Sequence, residues 1–517
     1  MIILKRIRQI QLRLITIIII AILFFPLSTG HQVSNTEHEI FESELIIEID
    51  CNQTNGFFKN YGHINCGPHP IYNIENGVDL TSQYQEIRLN FIRTHDFYGP
   101  TDISTIFPNF SADPNIESNY DFTTSDEIIS SIANGDFKIF YRLGESASDN
   151  ITLRQPPNNF SKWAKICKYI VMHYNDGWNN GFYYNISYWE IWNEPDLNGF
   201  WNGTSEEYYR LYNITSRLLK NYNPNLKIGG PCTSSIWNEE FTNDFLSYIK
   251  ENNLPLDFYS WHMYANSPSD LSEGSIYIRY LLDEYGFYES ENINTEWNIN
   301  ILTPQRDKDN ANNAAFTTST LISFQDANID YAYRYRGTQD DNWLGRLIGF
   351  DLSLFAVNGT YKTPALSYLA YNYCTYDTPI RIKTPSMNSG IDIPYLAGIS
   401  NDKSNISFII SNFQKVDTSI ILNFSNLPWN TGYNITHYVI DDSKHFEIIN
   451  QEISDTNIFK YNLTIEESSV QFLRISNSSI IPEEGPDVAD IPFLLRLRLL
   501  DPFTRVLGII LILIIFG

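Results

Sequence analysis

The sequence Tyr188-Trp189-Glu190-Ile191-Trp192-Asn193-Glu194-Pro195-Asp196 sets the frame for interpreting the whole chain. Its apolar first half is typical of a short buried strand. Proline cannot join a strand ladder and biases the preceding residue away from helix, so the strand should stop with Glu194 at its C-terminal end. In a closed parallel barrel, active sites lie at that end of the strands. A carboxyl group held there beside tryptophan suits proton donation to a sugar oxygen.

Short strand patterns alternate with helical patterns from residue 57 onwards. Phe160–Tyr174 has apolar residues close to a 3.6-residue period, Thr204 followed by Glu207 is a helix-starting capping box, and Asn312–Ala327 is a further helix. Eight strands alternating with helices imply an α/β chain folded as a (β/α)8 TIM barrel, to which we assign residues 31–375. The predicted strands are Tyr61–Asn65, Asn90–Thr94, Phe137–Arg142, Ser187–Trp192, Lys227–Gly230, Asp257–Trp261, Asn292–Thr295 and Tyr331–Tyr335.

The pattern changes after Tyr371. Short β-rich runs such as Ser404–Asn412 and Tyr433–Ile440 lie between turn residues, which predicts a C-terminal β-sandwich over residues 376–480. A strand pattern at Leu45–Ile49 precedes the barrel and is a candidate member of the same sandwich. Such pairing would tie the two ends of the catalytic unit together.

Both ends of the chain combine basic and apolar residues. Residues 1–30 have basic residues followed by an apolar run, as in a secretory signal peptide or an uncleaved signal anchor. Residues 481–517 form a linker and an apolar tail, whose run Val506–Gly517 is shorter than the about 20 residues that span a bilayer. We therefore expect an extracellular or cell-surface protein, with membrane attachment through the termini as one form of it.

Charge and composition limit the classes of partner. The 517 residues include 60 acids and 35 bases, and the net charge of −25 argues against nucleic acid or an anionic membrane as the partner of the folded part. Aromatic residues make up 15% of the chain, which suits stacking on sugars but also suits cores. Asn-X-Ser/Thr sequons are frequent, as expected of an exported glycoprotein, although an Asn-rich chain makes many by chance.

The five cysteines leave at least one unpaired if the chain is exported. Cys51 and Cys66 form a candidate disulfide bridge. No Cys/His spacing suggests a zinc site, and the chemistry inferred below requires neither a metal ion nor an organic cofactor.

A second carboxyl group comes from Asn292-Ile293-Asn294-Thr295-Glu296-Trp297-Asn298. Hydrolysis of a glycosidic bond with retention uses two carboxyl groups about 5–5.5 Å apart, and Glu296 ends predicted strand seven as Glu194 ends predicted strand four. Arg93 at the end of strand two could hold Glu296 ionised. Glu145, at the end of strand three, is the rival carboxylate, and Glu190 is expected to be a structural acid in the barrel wall.

Further polar and aromatic residues at strand ends are candidates for binding substrate. Asn193 lies next to the proposed acid and could bond a sugar 2-hydroxyl, and a tryptophan in the loop after strand eight could stack on a sugar ring. A histidine or tyrosine at such a position is structural about as often as it is functional. The candidate substrate-binding residues are Arg93, His95, Asn193, His262, Tyr264, Tyr333 and Trp343.

These motifs together resemble glycoside hydrolase family 39, the β-xylosidase and α-L-iduronidase family, within the retaining clan that places its acid/base and nucleophile on barrel strands four and seven. The resemblance implies Glu194 as acid/base and Glu296 as nucleophile, in a barrel followed by a β-sandwich. Leu143-Gly144-Glu145-Ser146 departs from the family pattern. The resembling motifs are Ile92-Arg93-Thr94-His95, Trp189 to Asp196, Gly229-Gly230-Pro231, Asp257 to Tyr264, Thr295-Glu296-Trp297-Asn298 and Tyr361-Lys362-Thr363-Pro364-Ala365.

The predicted function is a retaining glycosidase acting on an oligo- or polysaccharide, with exo-acting β-xylosidase-like action favoured. The Arg93-Thr94-His95 motif resembles the iduronidase branch and Thr295-Glu296-Trp297-Asn298 the xylosidase branch, so the sugar stays open. The alternatives are an endo-acting glycanase of the same clan, a non-catalytic glycan-binding protein and a structural envelope glycoprotein. The sequence does not indicate an oligomeric state.

Overall fold

A computed structural model describes residues 45–71, 77–146, 150–339, 350–384, 393–456 and 458–478. The predicted N-terminal signal segment, the C-terminal linker and tail, and Trp343 all lie outside these residues. Two short strands come first, β1 (Leu45–Asp50) and β2 (Thr54–Phe57). The eight barrel strands follow: β3 (His63–Asn65), β4 (Phe91–Arg93), β5 (Lys138–Leu143), β6 (Tyr188–Ile191), β7 (Lys227–Thr233), β8 (Phe258–Ala265), β9 (Glu291–Ile299) and β10 (Tyr331–Arg334).

These strands form a closed parallel barrel in which β10 pairs with both β9 and β3. The (β/α)8 barrel predicted from the alternating patterns is therefore confirmed. Three strands run well beyond their predicted ends: β7 continues to Thr233, β8 to Ala265 and β9 to Ile299. His262, Tyr264 and Glu296 consequently lie within strands and not just after them.

Helices surround the barrel and bury their apolar faces against it. In the helix that begins at Phe160, Trp163, Ile166 and Ile170 are buried. The helix that begins at Ser205 has the predicted capping box, in which Thr204 and Glu207 each accept from the other's backbone N–H. The helices are α1 (Thr81–Glu86), α2 (Ile103–Ile106), α3 (Thr123–Asn134), α4 (Phe160–Asp176), α5 (Ser205–Tyr222), α6 (Glu239–Glu251), α7 (Pro268–Glu284), α8 (Gln305–Asp309), α9 (Ala311–Phe324) and α10 (Thr363–Asn372).

The interior of the barrel is filled by a largely aromatic layer. Rings from different strands contact one another: the centroid of Tyr333 lies 5.0 Å from that of Phe140 and 5.3 Å from that of His63. This packing seals the interior beneath the polar groups at the strand ends. The layer consists of Phe91, Phe140, Tyr188, Phe258, Ile293 and Tyr333, with Tyr331 partly buried against it.

The C-terminal part is a sandwich of two sheets, as predicted. One sheet has the order β1-β14-β17, with β1 parallel to β14, and the other has the order β16-β15-β18-β13-β12-β11-β2. Strands from before the barrel thus enter both sheets. The remaining strands are β11 (Ile380–Ile382), β12 (Tyr395–Ile399), β13 (Asn405–Asn412), β14 (Thr418–Ser425), β15 (Tyr433–Ile440), β16 (His445–Ser454), β17 (Phe459–Ile465) and β18 (Ser469–Asn477).

The expected bridge between Cys51 and Cys66 is wrong. All five cysteines lie within the described ranges, where they are buried and form no disulfide. Cys51 packs in the core of the sandwich, whereas Cys66 packs in the core of the barrel, so the two thiols belong to different hydrophobic clusters. Within the described ranges, no helix is both long enough and apolar enough to cross a bilayer.

Candidate active site

The chain leaves β6 through a backbone that holds Glu194 over the barrel mouth. Trp192 has φ 75° and Glu194 has φ 45°, a left-handed region that non-glycine residues adopt only when their surroundings impose it. Here the Glu194 N–H donates to the Cys232 carbonyl at 3.0 Å. Asp196 then accepts from the backbone and hydroxyl of Ser234, at 2.9 and 2.7 Å. The loops after β6 and β7 are therefore joined around Glu194.

The Glu194 carboxyl group is 9% exposed. Its Oε1 lies 2.7 Å from Nδ1 of His262. Burial, and then the nearby acids Asp196 and Asp96, raise the pKa of Glu194 to about 8 against a lowering effect from Arg93. A carboxyl group with this pKa keeps its proton at neutral pH, which a general acid requires.

Glu296 reaches the same space because of an irregularity in β9. Trp261 is opposite Asn294, but the next residue, His262, is opposite Glu296, so β9 has one extra residue at this point. Ile293 faces the barrel interior, and strict alternation from it would turn Glu296 outward. The extra residue turns the Glu296 carboxylate inward, toward Glu194.

Donors surround the Glu296 carboxylate. Nη1 of Arg93 donates to Oε1 at 3.0 Å, and the Tyr264 hydroxyl donates to Oε2 at 2.8 Å. Nε2 of His95 lies 3.3 Å from Oε1, and Nδ1 of His262 lies 3.5 Å from Oε2. Burial raises the pKa of Glu296 to about 7, while His262 and Arg93 lower it. Glu296 therefore loses its proton before Glu194, as a nucleophile beside a general acid should.

Arg93 organises the charges beneath this pair. Its Nη2 and Nε donate to Oε2 of Glu190 at 2.6 and 2.8 Å, and Nη1 also donates to Oδ1 of Asn65 at 2.9 Å. Nη2 further donates to Oδ1 of Asn193 at 2.7 Å. Arg93 and Glu190 are both fully buried, so Glu190 compensates the guanidinium and holds it against Glu296.

Several buried polar atoms at the site, including Oε1 of Glu190, have no hydrogen-bond partner among the described residues, and two of these atoms are nitrogens of candidate substrate-binding residues. They are Nδ2 of Asn193 and Nδ1 of His95, and both side chains are at most 1% exposed. A buried donor without a partner is costly, so such atoms are expected to bind something that enters the site. Sugar hydroxyl groups would satisfy both.

The model of glycosyl hydrolases family 39 matches residues 45–340 of this sequence. The chain belongs to this family. A β-xylosidase of Geobacillus stearothermophilus is 27% identical over 290 residues, which are 48% of this family 39 chain and 54% of that relative. A β-xylosidase of Caldicellulosiruptor saccharolyticus is 31% identical over 145 residues, which are 27% of this chain and 26% of that relative. The sequence thus aligns with about half of the first relative's length and about a quarter of the second's.

Solved structures share the architecture of this family 39 protein. A glucosidase from Croceicoccus marinus superposes with a TM-score of 0.74 at 22% identity, covering 84% of this chain and 99% of that one. The GH39 enzyme from Xanthomonas axonopodis pv. citri superposes with a TM-score of 0.69 at 15% identity, covering 85% of this chain and 99% of that one. At these identities the likeness concerns the fold alone.

The structure does not bring every predicted residue of this family 39 protein to the pair. Tyr333 is fully buried in the aromatic layer of the barrel interior, which corrects its expected place at the substrate. Glu145, the rival carboxylate, accepts from the backbone and hydroxyl of Ser104 at 3.0 and 2.6 Å. Burial and then Asp102 raise the pKa of Glu145 to about 8. Glu145 therefore links the loops that follow β4 and β5.

Three groups at the site were not singled out from the sequence. Cys232 contacts Arg93 and His262, and Asn65 contacts Arg93. The Tyr335 hydroxyl donates to Asp96 at 2.5 Å, and its ring lies edge-on to Tyr264, with centroids 6.2 Å apart. All three lie at or just after the ends of barrel strands. Their position at a strand end is the sequence feature that could have identified them as site residues.

Glu194, His262 and Glu296 are also the group that could hold a metal ion within the ranges the structure describes. Their ligand atoms lie within 4.8 Å of one another. The same atoms are engaged in hydrogen bonds among themselves and with Tyr264 and Arg93. Each of the three groups therefore already has a hydrogen-bond partner within the site.

Proposed function

We propose that this protein is a retaining O-glycosidase and that its substrates are β-xylosides, cleaved from the chain end. The observation that carries the proposal is that two buried carboxyl groups, those of Glu194 and Glu296, both lie next to the imidazole of His262. Only Glu296 also accepts from Arg93 and Tyr264. His262 lies 2.7 Å from Glu194 and 3.5 Å from Glu296. This closeness suits the about 5–5.5 Å separation of retaining enzymes better than the about 6.5–9.5 Å of inverting ones.

In the first step, Glu296 attacks the anomeric carbon while Glu194 gives its proton to the leaving oxygen. The bond between the sugar and the leaving group breaks, and an ester between the sugar and Glu296 forms. Arg93 and Tyr264 keep Glu296 ionised before the attack, through bonds of 3.0 and 2.8 Å. Nδ2 of Asn193, which has no partner among the described residues, is placed to donate to a sugar hydroxyl as positive charge develops on the ring.

In the second step, Glu194 takes a proton from water, and the water oxygen displaces Glu296 with a second inversion. Net configuration is retained. Esterification removes the negative charge of Glu296, which is one of the groups that face Glu194. The pKa of Glu194 therefore falls in the intermediate, and the group that was an acid becomes a base.

The choice of sugar rests on the relatives. Two curated relatives are β-xylosidases, the more extensive match being 27% identical over 290 residues. That match covers about half of the Geobacillus enzyme. The choice of leaving group and the number of sugars bound are therefore proposed for this chain and are not taken from the relative.

The test is release of 4-nitrophenol from a panel of xyloside, glucoside, galactoside, arabinoside and iduronide by the full chain. Glu296→Gln keeps the size and shape of the side chain and removes the nucleophilic carboxylate. Glu291→Gln is the matched control, because Glu291 starts the same strand and pairs with Lys227 away from the site. We expect xyloside turnover that Glu296→Gln abolishes and Glu291→Gln preserves.

The first-formed sugar, observed by NMR, should have the anomeric configuration of the substrate. An inverted product would refute the retaining mechanism. Turnover that survives Glu296→Gln would refute the assignment of the nucleophile.

A further inference from the structure

Cys232, near the end of β7, is connected to the proposed acid/base Glu194 once directly and once through His262. Its carbonyl accepts from the Glu194 N–H at 3.0 Å. Its Sγ lies 2.9 Å from Nε2 of His262, and Nδ1 of the same ring lies 2.7 Å from Oε1 of Glu194. Backbone and side chain of Cys232 thus close a ring of contacts through Glu194 and His262. Its φ of 61° is left-handed, so the turn that places this thiol is itself strained.

The protons in this ring can be assigned. Burial raises the pKa of the Cys232 thiol well above its usual value, so the sulfur keeps its hydrogen. Burial lowers the pKa of His262, so the imidazole is neutral and has a single N–H. A neutral imidazole that accepts at Nε2 must hold its hydrogen on Nδ1. That hydrogen points at Glu194.

The other neighbours of the sulfur leave Nε2 as the acceptor for the S–H. Nη2 of Arg93, at 3.0 Å, is only a donor. Oδ1 of Asn193 is further away, at 3.4 Å, and already accepts from Arg93 at 2.7 Å. The Thr295 hydroxyl is further away still, at 3.5 Å, and can itself donate to the sulfur. His262 is the nearest group that can accept.

We propose that Cys232 is a positioning residue that fixes the tautomer of His262, and thereby leaves the acid proton on the Glu194 oxygen that faces the leaving group. The inference rests on the proposed function and deepens it. With Nδ1–H donating to Oε1, the proton of Glu194 resides on Oε2. With the opposite tautomer, Nδ1 would be an acceptor, and Glu194 would donate its proton to Nδ1. The acid proton would then point away from the substrate.

Removing the thiol has two consequences that merely structural damage does not share. The opposite tautomer becomes accessible, so proton donation weakens while attack by Glu296 continues. A hydrogen bond from the protonated carboxyl group to Nδ1 favours the neutral form, so the pKa of Glu194 rises. The charged and titratable groups that also face Glu194 and His262 are Arg93, Glu190, Asp96, Asp196, Tyr264 and Glu296, and all of them stay in place.

The experiment compares Cys232→Ala and Cys232→Ser in the full chain, on methyl β-xyloside and on 4-nitrophenyl β-xyloside. Serine retains an O–H donor, whereas alanine does not. Cys167→Ala is the control, because Cys167 is a buried free thiol on α4. The measurements are kcat for both substrates and the pH profile of kcat/KM.

We expect Cys232→Ala to lose about tenfold in kcat on the methyl glycoside, the effect of one hydrogen bond, and much less on the nitrophenyl glycoside, which needs little protonation. The basic limb of the profile should move to higher pH, and Cys232→Ser should recover both changes. Equal losses on the two substrates, or an unmoved basic limb, would overturn the inference. A parent chain inactive on both substrates would instead refute the proposed function.

Discussion

The hydrogen bond from Tyr264 to Glu296 gives a sharp test of how the nucleophile is kept ionised. The phenol donates to Oε2 at 2.8 Å. Burial, followed by the charge of Glu296, raises the pKa of Tyr264 well above its usual value, so the hydroxyl stays protonated at every pH at which an assay is practical. Tyr264→Phe removes the donor and keeps the ring.

The expected shift in the pKa of Glu296 follows from the charge on this hydrogen-bond acceptor. A hydrogen bond to a charged group contributes about 1.5–3 kcal/mol, and about 1.4 kcal/mol corresponds to one pH unit. Because this bond stabilises the carboxylate, its loss raises the pKa of Glu296 above about 7. The acidic limb of kcat/KM, below which Glu296 is protonated, should therefore move up by about 1–2 pH units. This shift brings it to the basic limb set by Glu194 at about 8, so the bell should narrow and its maximum should fall.

The assay is the pH profile of nitrophenyl β-xyloside hydrolysis. Tyr259→Phe is the matched control: Tyr259 lies on the same strand, and its hydroxyl is 3.1 Å from Thr242 on α6, outside the barrel. It should leave both limbs unchanged. An acidic limb at the parent's pH in Tyr264→Phe, with activity lost only as a uniform factor, would refute the idea that the phenol controls the protonation of Glu296.

Other consequences concern the acid/base, the buried ion pair and a helix cap. Glu194→Ala should lose far more activity on methyl than on nitrophenyl β-xyloside, since only the poor leaving group needs a proton; equal losses would contradict the assignment. Arg93→Met should lower the free energy of unfolding by about 3–5 kcal/mol in urea titrations, because it leaves Glu190 buried and unpaired. Thr204→Ala should cost about 1 kcal/mol in the same titration with unchanged kcat, because the Thr204 side chain caps its helix and makes no hydrogen bond to Glu194 or Glu296 in the described part of the chain.

Local patterns were sufficient to predict the barrel. Each predicted strand is a short apolar run between turn or helix signals, and each recurs in the structure within a few residues. The sequence around Glu194 shows where its strand stops, because Pro195 cannot continue the ladder. The sandwich was predicted from the same kind of evidence, although its strands β2, β11, β12, β16 and β17 were not.

The depth and direction of side chains in the barrel were less predictable. Tyr333 and Tyr335 have the same parity on and just after β10, yet one fills the interior layer and the other reaches Asp96 at the mouth. Their height depends on the stagger between neighbouring strands, which no single strand encodes. Likewise, the extra residue in β9 that turns Glu296 inward is visible only against the register of β8.

The pairing of β1 with β14 has a consequence for synthesis of the chain. Glu48 and Asn423, which contact each other across this pair, are 375 residues apart. At about 5–20 residues per second, β1 leaves the ribosome about 20–75 s before its partner exists. During that interval the whole barrel emerges and can fold, while the apolar side of β1, with Ile47 and Ile49, has no sheet to join. Newly made chains therefore expose β1 to aggregation, and binding of a chaperone during translation should protect this segment.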